Sequence, residues 1–242
     1  MLGLHEGLHT MKINEIFYSI QGEGLYAGHA AVFIRMQGCH KSCLFCDTRY
    51  ARVPGGGSEM SLYAVVDLAS KLHGRGLDEE YPHPRGLPGI VITGGEPLLQ
   101  VQSLIDLVSC LGPPTSAYSF IVVETSGSPR NCYARLQRNL LQFMRSTVEV
   151  VVSPKTLGDL QEALKIKPEP AAIKLVCTGD WESLEFLSAV NAEVCDRKIH
   201  SRLFIQPRWP FTHEEACHVV EFVERHPAWE LSVQMHKTLG VR

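Results

Sequence analysis

The stretch Ile90-Val91-Ile92-Thr93-Gly94-Gly95-Glu96-Pro97, followed by Val101, Leu104, Ile105, Val108 and Leu111, decides the fold. A β-favouring run ends in a diglycine turn, and the apolar positions after it return every three or four residues, so strand gives way to helix. Working outward, similar apolar runs stand at Ala31–Met36, Phe120–Thr125, Val148–Val152, Ala172–Val176, Leu203–Gln206 and Leu231–Gln234. From Ile90 onward the runs start about 24 to 30 residues apart, the length of a strand plus its return helix. They are continuous rather than alternating, as parallel strands covered on both faces are.

Helical signals fill several gaps. Leu62, Val65, Val66, Ala69 and Leu72 share one face; Thr212-His213-Glu214-Glu215 reads as a capping box before Val219, Val220, Phe222 and Val223; Asp180 caps a helix carrying Leu184 and Leu187. Asn131–Met144 carries a weaker stripe. Six or seven repeats fall short of a closed eight-stranded barrel, so the expectation is an α/β fold: an open partial (β/α) barrel of about six parallel strands. Residues 1–242 read as a single domain, with 1–10 as an N-terminal extension and 49–89 as an insertion holding one helix and a Gly/Pro-rich surface loop, Gly74–Gly89.

The 242 residues are 45% hydrophobic and 20% charged, with a net charge of −3. That suits a globular domain with a sizeable core and gives no basic surface for nucleic acid. No apolar run approaches the length of a membrane span, and Met1–Thr10 lacks the pattern of an export signal, which together predict a cytoplasmic protein without membrane association. In such a chain the scattered Cys110, Cys132, Cys177, Cys195 and Cys217 read as free thiols.

In an open α/β sheet, chemistry gathers at the carboxyl ends of the strands. There lies Gly38-Cys39-His40-Lys41-Ser42-Cys43-Leu44-Phe45-Cys46-Asp47-Thr48. Three thiolates this close can hold one metal centre. A structural zinc site wants four ligands, and a 4Fe–4S cluster normally takes four cysteines. With three, a cluster keeps one iron open to a ligand. A zinc-binding module completed by His40 or a distant ligand is the non-enzymatic alternative, although His40 adjoins Cys39 and is poorly placed to share its tetrahedron.

The spacing Cys-x3-Cys-x2-Cys with Phe45 before the last cysteine, together with Gly94-Gly95-Glu96-Pro97, resembles the radical S-adenosylmethionine (SAM) superfamily. The resemblance implies that Cys39, Cys43 and Cys46 hold a 4Fe–4S cluster whose open iron chelates SAM, and that reductive cleavage of SAM yields a 5′-deoxyadenosyl radical. A glycyl-radical activase would share those features. The opening Phe17-Tyr18-Ser19-Ile20-Gln21-Gly22-Glu23-Gly24 discriminates, because it has no part in SAM cleavage itself. It resembles the opening of the 7-carboxy-7-deazaguanine synthase family. The likeness continues through Arg35, Asp47-Thr48, Thr93, Glu124-Thr125-Ser126-Gly127, Ser153-Pro154-Lys155, Gln206-Pro207 and Gln234-Met235-His236-Lys237.

That family contracts 6-carboxy-5,6,7,8-tetrahydropterin to 7-carboxy-7-deazaguanine with loss of ammonia, on the route to queuosine. The resemblance implies that Ile20, Gln21, Gly22, Arg35 and Thr93 hold the pterin, with Arg35 on its carboxylate. It implies that Phe45, Cys46, Asp47, Gly95, Ser153, Pro154, Lys155 and Gln206 seat SAM, and that Thr48 ligates Mg²⁺. An electron donor such as flavodoxin or ferredoxin and a homodimer are further implications. Lys174, His236 and Lys237 carry no assigned role, and Thr238–Arg242 are not expected to reach the substrate.

Overall fold

The computed structural model describes residues 10–74, 87–112, 118–143 and 148–242. Residues 1–9 of the expected N-terminal extension and the body of the Gly/Pro-rich loop lie outside them, while Thr10 already belongs to the first strand.

The strands are β1 (Thr10–Ile20), β2 (Ala30–Met36), β3 (Ser58–Ser61), β4 (Gly89–Gly94), β5 (Ile121–Thr125), β6 (Val148–Val152), β7 (Ala172–Cys177), β8 (Arg202–Pro207) and β9 (Trp229–Leu231). They form one nine-stranded sheet in the order β3-β1-β2-β4-β5-β6-β7-β8-β9, with β3 and β9 at its edges. From β2 through β4 to β9 every pairing is parallel, while β1 joins β2 and β3 antiparallel. The open sheet of strand–helix repeats is the expected architecture, but it holds nine strands against the expected six or so: seven run parallel, and β1 and β3 join them antiparallel. A register shift between Ile13 and Glu15 breaks the two-residue period of β1, so no single alternation marks it as a strand. β9 ends at Leu231, where the expected last strand begins, and the next residues lead into a short helix instead.

The helices are α1 (Leu62–Gly74), α2 (Val101–Leu111), α3 (Arg130–Phe143), α4 (Leu157–Leu164), α5 (Trp181–Arg197), α6 (His213–Arg225) and α7 (Met235–Leu239). The weak stripe around Asn131 thus does form a helix. Asp180 caps α5 by accepting from Ser183 N at 2.8 Å, and the Thr212/Glu215 capping box opens α6. On α2, Leu104 and Leu107 are fully buried against the sheet; each contributes about 1.5–3 kcal/mol by leaving water.

Strand side chains divide by parity. Val32, Ile34, Met36, Ile90, Ile92, Ile121, Val123, Val150 and Val152 join one core beneath α1–α3, and Ile173, Leu175, Leu203 and Ile205 join a second with α5. The opposite face begins apolar: Phe17, Ala31, Phe33, Val91, Val122, Val151, Ala172 and Phe204 form a third cluster. Tyr26 stacks on Phe120 there at 3.8 Å. One step further along each strand, that same face turns polar, and the candidate site begins.

Candidate functional site

Arg35, Thr93, Glu124, Ser153, Lys174 and Gln206 occupy the carboxyl-ward positions of that inner face and line a single cavity of about 790 Å³. Cys39, Cys43 and Cys46 line it too, as do Ile20, Gln21, Gly22, Phe45, Asp47, Thr48, Gly95 and Lys155. Of the residues assigned by resemblance to the cluster, SAM, the pterin or Mg²⁺, only Pro154 stays out of the wall.

The cysteine loop follows β2 and is fixed largely by backbone. Gly38 N donates to Ala51 O at 2.8 Å, and Gly95 N and Glu96 N donate to Met36 O and Gly38 O at 3.1 and 2.8 Å. A Cβ on Gly95 would lie 2.2 Å from Gly38 O, so the diglycine turn lets two segments of the protein's own backbone touch, a demand that only glycine meets. Arg52 Nη1 donates to Cys43 O at 3.1 Å, and Arg49 donates to Leu44 O. Lys41 pairs with Asp159 at 2.8 Å. The Glu96 carboxylate turns inward and accepts from Leu98 N, Ser126 N, Ser126 Oγ and Thr125 Oγ1, tying the end of β4 to the end of β5.

The donor set is sulfur. Burial pushes the Cys39 thiol up, and the neighbouring Glu96, Cys43 and Cys46 add to the rise. Among the described residues, no three His, Cys, Asp or Glu side chains close into a single-ion site. The His40 ring meets Ser128 Oγ at 3.2 Å and does not line the cavity, which removes His40 as the fourth ligand of a zinc module. Three sulfurs around open space, with no fourth cysteine in the wall, fit a cluster with one iron free. Lys155 Nζ reaches Ser153 Oγ at 2.8 Å and lies 5.8 Å from the Phe45 ring centre; burial pushes its ammonium down, while Cys43 and Glu96 hold it up. Thr48 Oγ1 stands 3.7 Å from Cys46 Sγ.

The opposite wall is built from side chains. Each residue of Gln21-Gly22-Glu23-Gly24 has its own fastening. Gln21 Nε2 donates to Glu124 at 3.1 Å; a Cβ on Gly22 would lie 2.1 Å from His236 Nδ1; Glu23 pairs with Lys174 at 2.5 Å and accepts from Gln234 at 2.7 Å; Gly24 N donates to Ser232 Oγ at 3.1 Å. Thr93 Oγ1 also donates to Glu124, at 3.1 Å. Burial alone would raise the Glu23 carboxyl, but the Lys174 ammonium outweighs it and holds the group at about 2. Burial likewise works against the Lys174 ammonium, and Glu124 and Glu23 together raise it above the ordinary lysine range.

Glu124, Lys174 and Glu23 thus form a hub that the sequence reading left without a role. The signal was available: Glu124 and Lys174 share strand parity with Arg35 and Thr93. His236, Lys237, Val241 and Arg242 line the cavity as well, so the tail returns to the site wall.

Comparison with known proteins agrees with this geometry. Residues 20–162 match the family described as a 4Fe-4S single cluster domain. The chain is 31% identical to the 7-carboxy-7-deazaguanine synthase of Bacteroides thetaiotaomicron, covering 96% of this chain and 98% of that one. This chain belongs to the 7-carboxy-7-deazaguanine synthase family. Another member, from Bradyrhizobium diazoefficiens, is 29% identical over 96% of this chain and the whole of its own length. The crystal structure of QueE from Escherichia coli shares the fold, with a TM-score of 0.64 at 23% identity and 96% of each chain covered. Membership in this synthase family implies a radical SAM enzyme with an iron–sulfur cluster and SAM, a small-molecule substrate and a source of electrons.

Proposed function

We propose that this chain converts 6-carboxy-5,6,7,8-tetrahydropterin to 7-carboxy-7-deazaguanine with loss of ammonia, in 7-deazapurine biosynthesis. The observation that carries the reading is one cavity whose wall joins Cys39, Cys43 and Cys46 to the Gln21–Gly24 opening and Arg35. When bound, the reduced cluster and SAM supply a 5′-deoxyadenosyl radical that removes a substrate hydrogen. Everything else is the work of this chain's residues.

Cys39, Cys43 and Cys46 hold the cluster. Phe45, Asp47, Gly95, Ser153, Lys155 and Gln206 seat SAM beside it, with Pro154 setting the turn rather than touching the ligand. Ile20, Gln21, Gly22, Arg35 and Thr93 hold the pterin, and Arg35 grips its carboxylate. Glu124 receives hydrogen bonds from Gln21 and Thr93 and so fixes both. The Thr48 hydroxyl supplies a hard oxygen ligand for Mg²⁺, whose remaining positions fall to substrate oxygens and water. Phe33 and Val151 give the cavity an apolar floor. A flavodoxin or ferredoxin donor and a homodimer rest on the family resemblance. Among the described residues no helix is long and apolar enough to cross a membrane; a cytoplasmic setting rests on the family resemblance. One domain spanning residues 1–242 agrees with the single sheet.

The test is an anaerobic assay of reconstituted protein with SAM, a reductant, Mg²⁺ and 6-carboxytetrahydropterin. The expected product is 7-carboxy-7-deazaguanine. Protein that cleaves SAM but forms none of it defeats the substrate assignment and leaves the superfamily.

A further inference from the structure

We propose that Glu15 and Arg242 are positioning residues for the substrate carboxylate: Glu15 grips Arg35 by its Nε edge, and Arg242 sets a second guanidinium beside it. The proposal rests on the role given to Arg35 above and adds to it.

Three observations carry it. The first is backbone. Met11 and Ile13 of β1 face the outer core, yet Glu15 and Phe17 face the cavity or the inner cluster. Equal spacing would have kept all four on one face. The register shift between Ile13 and Glu15 reverses the parity, and it leaves Glu15 directly opposite Arg35 on β2. The bulge therefore aims Glu15 into the cavity.

The second is hydrogen bonding. Glu15 Oε1 accepts from Arg35 Nε at 2.8 Å and from Tyr50 OH at 3.0 Å, and its Oε2 accepts from Arg242 Nη2 at 3.0 Å. Among the described residues no acceptor takes the terminal amino groups of Arg35. Those parallel N–H groups are the pair that grips a carboxylate. Ser19 Oγ donates to Arg242 O at 2.5 Å, so backbone as well as side chain anchors Arg242.

The third is charge and shape. Two guanidiniums flank the Glu15 carboxylate on the cavity wall. Arg35 and Arg242 lie 5.9 and 5.3 Å from the Phe17 ring centre, and Phe17 stacks on Phe33 at 4.9 Å. Two guanidiniums held over an aromatic ring make a cationic end that suits an anionic group. The Glu15 carboxyl lies below its ordinary range although burial raises it, because Arg35 and Tyr50 bond to the charged form, so it stays ionised at neutral pH.

The test is anaerobic calorimetry on reconstituted holoenzyme with 6-carboxytetrahydropterin and with tetrahydropterin lacking the carboxylate. The ratio of the two Kd values is the carboxylate preference. Glu15→Gln removes a negative charge, which by charge alone would strengthen anion binding. The proposal expects the opposite: the preference falls about tenfold, KM rises and kcat holds, because Arg35 loses its fixed edge. Arg242→Ala should lower the preference by a similar factor, and it serves as the reading if Glu15→Gln does not fold. An unchanged or increased preference in Glu15→Gln, or equal weakening of both ligands in either variant, overturns the proposal. Arg35→Ala keeps the two ideas apart. If it abolishes the preference while the other variants do not move it, the Arg35 reading stands and this one falls. If it keeps the preference, the Arg35 reading itself is overturned.

Discussion

At the cysteine end of the cavity, backbone meets backbone: Gly95 against Gly38, Glu96 N on Gly38 O, Gly38 N on Ala51 O. At the Arg35 end, side chain meets side chain: Glu23 with Lys174, Glu124 with Gln21 and Thr93, Glu15 with Arg35 and Arg242. The contrast follows from what each end must do. Seating a cluster and SAM is a task of close approach, which glycine and main-chain hydrogen bonds perform without regard to neighbouring side chains. Choosing one substrate among many needs charges and hydroxyls at particular places, and only side chains supply those.

The largest effects should come from the backbone end. Cys43→Ala is expected to abolish SAM cleavage, whereas Cys195→Ala, on the exposed surface of α5, should leave it intact. Gly95→Ala is the sharper probe, because it removes no ligand. Its methyl would meet a backbone oxygen at 2.2 Å, and neither segment can yield without breaking a hydrogen bond. Iron and sulfide content after reconstitution should fall well below wild type. A Gly95→Ala protein that loads a full cluster would break the contrast.

At the other end the expected currency is stability as well as affinity. Lys174→Met leaves the partly buried Glu23 and Glu124 together without their cation, a loss of up to about 3 kcal/mol in denaturant unfolding. Adding Glu23→Gln should recover part of it, since one stranded charge is then gone. If the single variant unfolds like wild type, the hub is a solvated surface feature and not the frame of the substrate wall.

These residues also mark the limit of what the sequence revealed. The repeat of apolar runs gave the strand–helix order, and the glycines and cysteines gave the cluster end, because backbone demands leave a signature in residue type. The runs looked continuous, however. Val122-Val123-Glu124 and Ile173-Lys174-Leu175 carry a polar residue only at one inner-face position, since the rest of that face is apolar floor. The period of two was therefore present but masked. Glu15 was hidden further by the bulge, which shifts the phase within β1. The reach of Arg242 back to Glu15 depends on α7, a short helix with no periodic signal of its own.

A pH series reads the same hub without a change of size. The Glu23 carboxyl sits at about 2 in the folded protein, against about 4.5 ordinarily. A carboxyl depressed by folding lends stability that is complete above its unfolded value and lost as pH falls through the folded one. Unfolding free energy should therefore decline steadily from about pH 4.5 toward pH 2, and Glu23→Gln should flatten that slope. An unaltered slope would place the acid sensitivity elsewhere, with the Asp159 carboxyl, depressed by Lys41, as the next group to examine.

The smallest expected effect tests the contrast from the other side, by removing a side chain from the backbone end. Arg52 Nη1 holds Cys43 O at 3.1 Å, and Arg52 is half-buried against the cysteine loop. Arg52→Met keeps the stem and removes one charged hydrogen bond, which costs about 1.5–3 kcal/mol. Because Gly38, Gly95 and Glu96 fix the loop through main-chain bonds that do not involve Arg52, iron content after reconstitution should match wild type. Loss of the cluster in Arg52→Met would mean that a guanidinium, and not the glycine-mediated contact, sets the loop. The two ends would then be built on one principle, and the division between a backbone-made reactive end and a side-chain-made selective end would fail.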